Sequence, residues 1–195
     1  MKKVIAIVGY DKDLVDEIDN VLDLYGYFAL EEKKTSYRYL GDHKNISSIP
    51  DDIPLLITFD DIKMRRFLYE NYGERIFTYI SIEATVSNSA LIGIGSVVMR
   101  NTHIGPNTVI GIANKINIGS QIHHDVMVGD YNIIAPRCLL LGHVAVGNEN
   151  YIGAGSLIRN SIKIESFNII GMGTNVISNV PNNCVVVGNP GKIKK

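Results

Sequence analysis

The pattern of apolar residues along the chain changes near residue 80. Before that point the apolar residues fall in blocks of two kinds. Lys3 to Val8 (KVIAIV) is a short continuous run closed by Gly9, as in a buried strand. Leu14, Ile18, Val21, Leu22 and Tyr25 follow at helical spacing, which predicts a helix over residues 13–25 stopped by Gly26. Tyr27 to Leu30 reads as a second strand and Leu55 to Phe59 (LLITF) as a third. Asp60 and Asp61 stand before a helix over Ile62 to Tyr72, where carboxylates suit the positive end of the dipole, and Gly73 lies past its end. The order β-α-β-β-α predicts a small Rossmann-like α/β domain over residues 1–79, with a parallel sheet.

From residue 80 a strict short period takes over. Every sixth residue from Ile80 to Val176 is Ile, Val or Leu, seventeen positions in register. The position four later is usually small, as at Ala84, Ser96, Thr108, Ser120, Cys138 and Ser156. A glycine often follows the aliphatic residue, as at Gly93, Gly105, Gly111 and Gly129, and is expected there to permit backbone conformations that a Cβ opposes. One inward aliphatic per six residues predicts an all-β parallel β-helix of hexapeptide type over residues 80–195. Three hexads make one triangular coil, and coils stack at about the 4.8 Å strand spacing. The open ends of such a prism need cover, which the N-terminal domain and the tail after Val176 are expected to give.

Composition narrows the function classes. Lys+Arg 19 against Asp+Glu 20 leaves a net charge of -1 with no basic stripe, which argues against nucleic acid as a partner. No apolar run reaches the roughly 18–20 residues that span a bilayer, and the opening MKKVIAIVGYDKDLVDE turns acidic without a cleavage site. Cys138 and Cys184 cannot make a disulfide framework and suit a reducing compartment. Neither has an obvious activating neighbour for nucleophilic work. These features predict a cytoplasmic protein with no membrane partner.

The hexapeptide repeat resembles the left-handed β-helix acyltransferases. The whole chain resembles the NeuD/PglD-like sugar O/N-acyltransferases, through KKVIAIVG, DDIKMRRFLYENYG, YISIEATVSNSALIGIGSVV, INIGSQIHHDVMVGDYNIIAP, GHVAVGNENYIGAGSLI and the tail VVVGNPGKIKK. The resemblance implies acetyl-CoA as acyl donor, a nucleotide-linked sugar as acceptor, and a homotrimer with sites between subunits. It places the catalytic base on His124 and the carboxylate that orients it on Asp125. Imidazole suits the task because it is partly neutral near pH 7. Donor contacts fall on Gly142, Ala154, Gly171, Met172, Gly173, Gly188 and Pro190, while Lys192, Lys194 and Lys195 either meet the CoA phosphates or form a solvated tail. Acceptor contacts fall on Gly9, Tyr10, Glu31, Glu32 and Arg65.

The chain also departs from that pattern. A glycine-rich loop usually follows the first strand, but here it reads Gly9-Tyr10-Asp11-Lys12-Asp13, which hinders the approach of phosphate and repels it. A second histidine, often nine residues after the base, is Ile133. Stacking of residues eighteen apart predicts a column of Asn107, Asp125, His143 and Ser161, and His123 is a competing base offset by one residue. A metal is not expected. The zinc site of the γ-type carbonic anhydrases, a related β-helix class, uses a histidine pair five apart, and Val128 and Gly129 stand five after His123 and His124. The alternative to an enzyme is a non-catalytic trimeric scaffold with a degenerate nucleotide site.

Overall fold

The computed structural model describes residues 2–194. It begins with a three-stranded parallel sheet in the order β2-β1-β3, built from β1 (Lys3–Val8), β2 (Leu22–Phe28) and β3 (Leu55–Ile57). Two helices accompany it, α1 (Lys12–Ile18) and α2 (Ile62–Tyr72). Each is capped by an aspartate: Asp11 accepts from the Leu14 N–H at 3.1 Å, and Asp61 from the Met64 N–H at 2.9 Å. The second helix matches the expected span. The first is shorter than the sequence pattern implied, and Leu22 to Phe28 are strand.

The cause of that difference is tertiary. Residues 22–28 pair with β1 from Lys3↔Leu22 to Val8↔Phe28 and bury Tyr27 and Phe28 completely. Gly26 therefore stops no helix. A Cβ on it would meet the Arg38 carbonyl at 2.6 Å, so its bareness admits the neighbouring segment, where the Tyr27 N–H donates to Arg38 O at 2.9 Å. The second strand thus ends at Phe28 instead of running from Tyr27 to Leu30, and the third ends at Ile57 instead of Phe59. Gly73 has an ordinary helical φ of -49° and opens a 3₁₀ turn, Gly73–Arg75. A second 3₁₀ turn, His43–Ser48, was not expected from the sequence.

Seventeen two-residue strands, from Tyr79–Ile80 to Asn175–Val176, then wind a left-handed prism with three parallel sheets. The second residue of each strand is the periodic aliphatic. Pairs such as Lys115↔Ile133 and Ile116↔Ile134 fix the eighteen-residue coil. From Val98 to Val176 these aliphatics are buried in one continuous core. Burying each contributes roughly 1.5–3 kcal/mol before entropy is counted. The first strand straddles the junction between the two units.

The glycines after the aliphatics serve close approach. A Cβ on Gly105 would lie 2.7 Å from the His124 N and 2.8 Å from the His123 carbonyl carbon, one coil on. The left-handed backbone falls at a different place in the hexad, three residues after the aliphatic, and is mostly not glycine there: Asn107 (φ 57°), Asp125 (φ 58°), His143 (φ 61°) and Ser161 (φ 59°).

The tail covers an end of the prism as expected, but the α/β unit does not cover the other. The tail closes the C-terminal end, with Val180 and Val186 buried in the prism core. The α/β unit packs on a side face, where Tyr79, Val97 and Met99 share a core with Ile5, Ile7, Leu14 and Ile18. Ile80 stays 41% exposed, because no coil lies beneath it.

One corner carries a ladder of buried asparagines, Asn114, Asn132, Asn150 and Asn168. The side-chain oxygen of each accepts the N–H of the residue one coil on, as Asn132 Oδ1 does from Asn150 N at 2.8 Å. Asn132→Ala strips that acceptor from a buried N–H, and should cost about 1–3 kcal/mol, read as a lower denaturant midpoint with an unchanged slope.

Candidate active site

His124 and Asp125 lie on the turn after the strand Gln121–Ile122. The turn follows an inward Ile122 and places Asp125 in the left-handed region, so both side chains leave the core, at 51% and 37% exposure. His124 Nδ1 lies 2.7 Å from Asp125 Oδ2. A carboxylate only accepts, so Nδ1 carries the proton and the neutral ring keeps its lone pair on Nε2. Asp125 Oδ1 is taken from below by the Asn107 side-chain amide at 3.1 Å.

The hydrogen bonds from His124 and then Asn107 hold the Asp125 carboxyl below the usual carboxylate range. A depressed acid contributes its interaction above its unfolded value and loses it only as pH falls through the lower, folded one. The pair therefore keeps its carboxylate charged throughout the range in which imidazoles titrate.

The expected column forms. Asn107, Asp125, His143 and Ser161 occupy equivalent turns, joined in part by His143 N to His124 O at 3.2 Å and Ser161 N to Gly142 O at 3.1 Å. His143 brings its ring edge-on to His124, with centroids 5.1 Å apart at 86°. One ligating atom each of His124, Asp125 and His143 lies within 4.8 Å of the others, a set that offers a divalent cation three ligands. Both Asp125 oxygens, however, already have partners. His123 pairs instead with His103, ring centroids 6.4 Å apart.

Of the donor positions, Gly142 sits beside His124 and makes room for it: a Cβ there would lie 2.6 Å from both Cε1 and Nε2 of the ring. Ala154, Gly171, Met172 and Gly173 belong to a different corner, after the strands Tyr151–Ile152 and Ile169–Ile170. There Gly173 N donates to Ala154 O at 2.9 Å, Met172 is 83% exposed, and a Cβ on Gly155 or Gly173 would meet nothing within 4 Å. Gly188 and Pro190 flank the turn between Val185–Val187 and Lys192–Lys194, and Gly188 N donates to Thr174 Oγ1 at 3.3 Å. Lys192 and Lys194 are exposed, and Lys195 lies outside the described residues.

The acceptor positions divide. A cleft of about 490 Å³ opens at the C-terminal ends of β1 and β3, lined by Tyr10, Leu30, Phe59, Asp60, Asn117 and Pro136 among others. Ligands of parallel α/β sheets bind at such strand ends. Tyr10 lines this cleft, whereas Glu31 and Glu32 are exposed beside it. Gly9 serves packing, since a Cβ on it would meet Thr58 Oγ1 at 2.5 Å and Phe59 N at 2.9 Å. Arg65 contradicts its expected role as an acceptor contact. It is 0% exposed and donates to Ala113 O, Asn114 O, Ile57 O and Phe59 O at 3.0–3.2 Å, pinning helix α2 to the prism. Burial pulls its guanidinium down to about 10, partly offset by Asp60.

Sequence reasoning missed Lys115. Its ammonium is fully buried and donates to Asp11 Oδ2 at 2.6 Å, Asp60 Oδ1 at 2.7 Å and Thr58 O at 3.3 Å. Asp11, one of the two loop acids that seemed set to repel phosphate, thus joins Asp60 in holding a lysine from the prism. The signal was a lone lysine at an outward strand position whose neighbours one coil away, Val97 and Ile133, are buried and apolar. Cys138 is buried, and burial pushes its thiol up to about 11, which removes it as a nucleophile at neutral pH.

No protein-family profile matches the sequence, and no curated protein matches it. Solved structures do resemble it over its whole length. The acetyltransferase domain of PglB from Neisseria gonorrhoeae, in complex with acetyl coenzyme A, superposes with a TM-score of 0.91 at 22% identity, covering 100% of both chains. PerB from Caulobacter crescentus, in complex with CoA and GDP-perosamine, gives 0.92 at 23% identity over 100% of this chain and 98% of its own. WeeI from Acinetobacter baumannii gives 0.85 at 23% over 98% and 100%. The chain therefore has the fold of these proteins, a left-handed hexapeptide-repeat β-helix preceded by a small Rossmann-like α/β unit.

Proposed function

We propose that this protein is an acetyl-CoA-dependent acetyltransferase that acetylates an amino or hydroxyl group of a nucleotide-linked sugar in bacterial surface-glycan or glycoprotein-sugar synthesis. The observation that carries this reading is the His124–Asp125 pair on an exposed turn, where Nε2 has no hydrogen-bond partner among the described residues. His124 takes a proton from the acceptor as its nitrogen or oxygen bonds to the thioester carbonyl carbon. Asp125 stabilises the resulting imidazolium, and the proton passes to the thiolate as the C–S bond breaks. Acetyl-CoA and CoA bound in the PglB domain and PerB support the donor, and GDP-perosamine in PerB supports the acceptor class.

The placement of the parts supports a homotrimer. The cleft at Tyr10, Asn117 and Pro136 follows one sheet's strands, whereas His124 lies on the next corner of the prism. A second copy docked against that corner brings the two together. The exposed apolar residues Leu91 (65%), Val109 (38%) and Met127 (60%), stacked on one sheet face, supply a surface for such docking. A cytoplasmic location fits a protein using acetyl-CoA.

The scaffold reading has one observation of its own, the Asp11–Lys115–Asp60 cluster beside the loop whose sequence already departs from the phosphate-binding pattern. Calorimetric titration with acetyl-CoA separates the two. The enzyme reading expects micromolar binding that survives in His124→Asn. Absence of heat with both proteins would sink it and leave the scaffold.

A further inference from the structure

His143 has no part in the mechanism above, yet it borders the atom that does the work. The Cε1–Nε2 edge of His124 lies against Gly142, so Nε2 faces the turn that carries His143. The two rings meet edge to face with their centroids 5.1 Å apart. Two hydrogen bonds of about 2.9 Å to one shared atom span up to roughly 5.8 Å, so a single substrate atom can reach both rings at once. His143 is held there by its backbone, in the same left-handed turn as Asp125 one coil below, and its side chain is exposed.

We propose that His143 is a second working histidine of this site, which accepts a hydrogen bond from the attacking group of the acceptor, and that this group is a primary amine. The inference rests on the acetyltransferase reading and deepens it. A neutral amine has two N–H groups and one lone pair. With one N–H donated to His124 and the other to His143, the lone pair is left to form the C–N bond at the thioester carbonyl. His124 removes the first proton and returns it to the departing thiolate. The second stays on the amide nitrogen as product forms. A hydroxyl has a single hydrogen, which His124 uses, so it gains nothing from a second acceptor.

Asparagine occupies the equivalent turn at 101 and 107 with φ 57°, so His143→Asn keeps the backbone, and its shorter side chain withdraws the imidazole. His143→Gly removes the side chain without strain. Release of CoA thiol from acetyl-CoA is followed with GDP-perosamine, a panel of UDP- and dTDP-aminosugars, and matching sugars bearing a hydroxyl in place of the amine. Wild-type protein should turn over an amine. Both His143 variants should lose about tenfold or more in kcat/KM for that amine, with acetyl-CoA affinity unchanged. Unaltered kcat/KM in both variants, or a loss confined to acetyl-CoA binding, overturns the role of His143 while His124→Asn still tests the reading beneath it. Turnover of hydroxyl acceptors alone overturns the amine assignment. Failure of wild-type protein to release CoA with any acceptor overturns the acetyltransferase reading itself.

Discussion

Replacing His124 by asparagine should lower acetyl transfer by about a hundred- to ten-thousandfold while leaving acetyl-CoA binding in place. Asparagine is a polar residue that other turns of the prism carry, but it offers no group that takes a proton near neutral pH. The fold has little stake in the side chain, which is half exposed and, among the described residues, hydrogen-bonded only to Asp125. The loss should therefore appear in kcat, with thermal unfolding unchanged. Asp125→Asn supplies the internal control. Its amide can still approach Nδ1 but carries no charge to stabilise the imidazolium, and it frees the ring to place its proton on either nitrogen. Transfer should fall in that variant too, by less than in His124→Asn. If His124→Asn retained wild-type turnover, the base would lie elsewhere, and His143 would be the first place to look.

How much of this was legible in the sequence depended on how local the cause was. The prism was readable because each hexad repeats one local requirement, an aliphatic side chain facing a narrow core, and the second residues of all seventeen strands obey it. The His124–Asp125 pair came from the family resemblance, and the period added only that its turn lies outside the core. The register also put Asn107 and His143 in one column before any contact was seen. The first helix was misjudged for the opposite reason. Val21, Leu22 and Tyr25 fit a helical stripe, but pairing with β1, a partner distant in sequence, decided the outcome. Arg65 was misread likewise: nothing nearby in sequence reveals four carbonyls contributed by β3, its flank and a coil nearly fifty residues later.

Lys115 shows how far a single unread residue reaches. Substituting methionine keeps most of its volume and removes the charge that Asp11 and Asp60 share, leaving two carboxylates facing each other at the seam between the α/β unit and the prism. Breaking a buried pair from one side costs about 3–5 kcal/mol, and the lower end applies here because Asp60 is 58% exposed and water screens it. Lys115→Met should thus lower stability by about 3 kcal/mol in urea unfolding. Adding Asp11→Asn and Asp60→Asn removes the stranded charges, so the triple variant should recover much of that loss even though three polar contacts are gone. Asp11 also caps α1, a bond that asparagine preserves. If the single variant matched wild type, the cluster would be a surface feature with no hold on the seam. If the triple variant were less stable than the single, the lysine would owe its place to the Thr58 carbonyl and to packing against the α/β core, and not to the two acids.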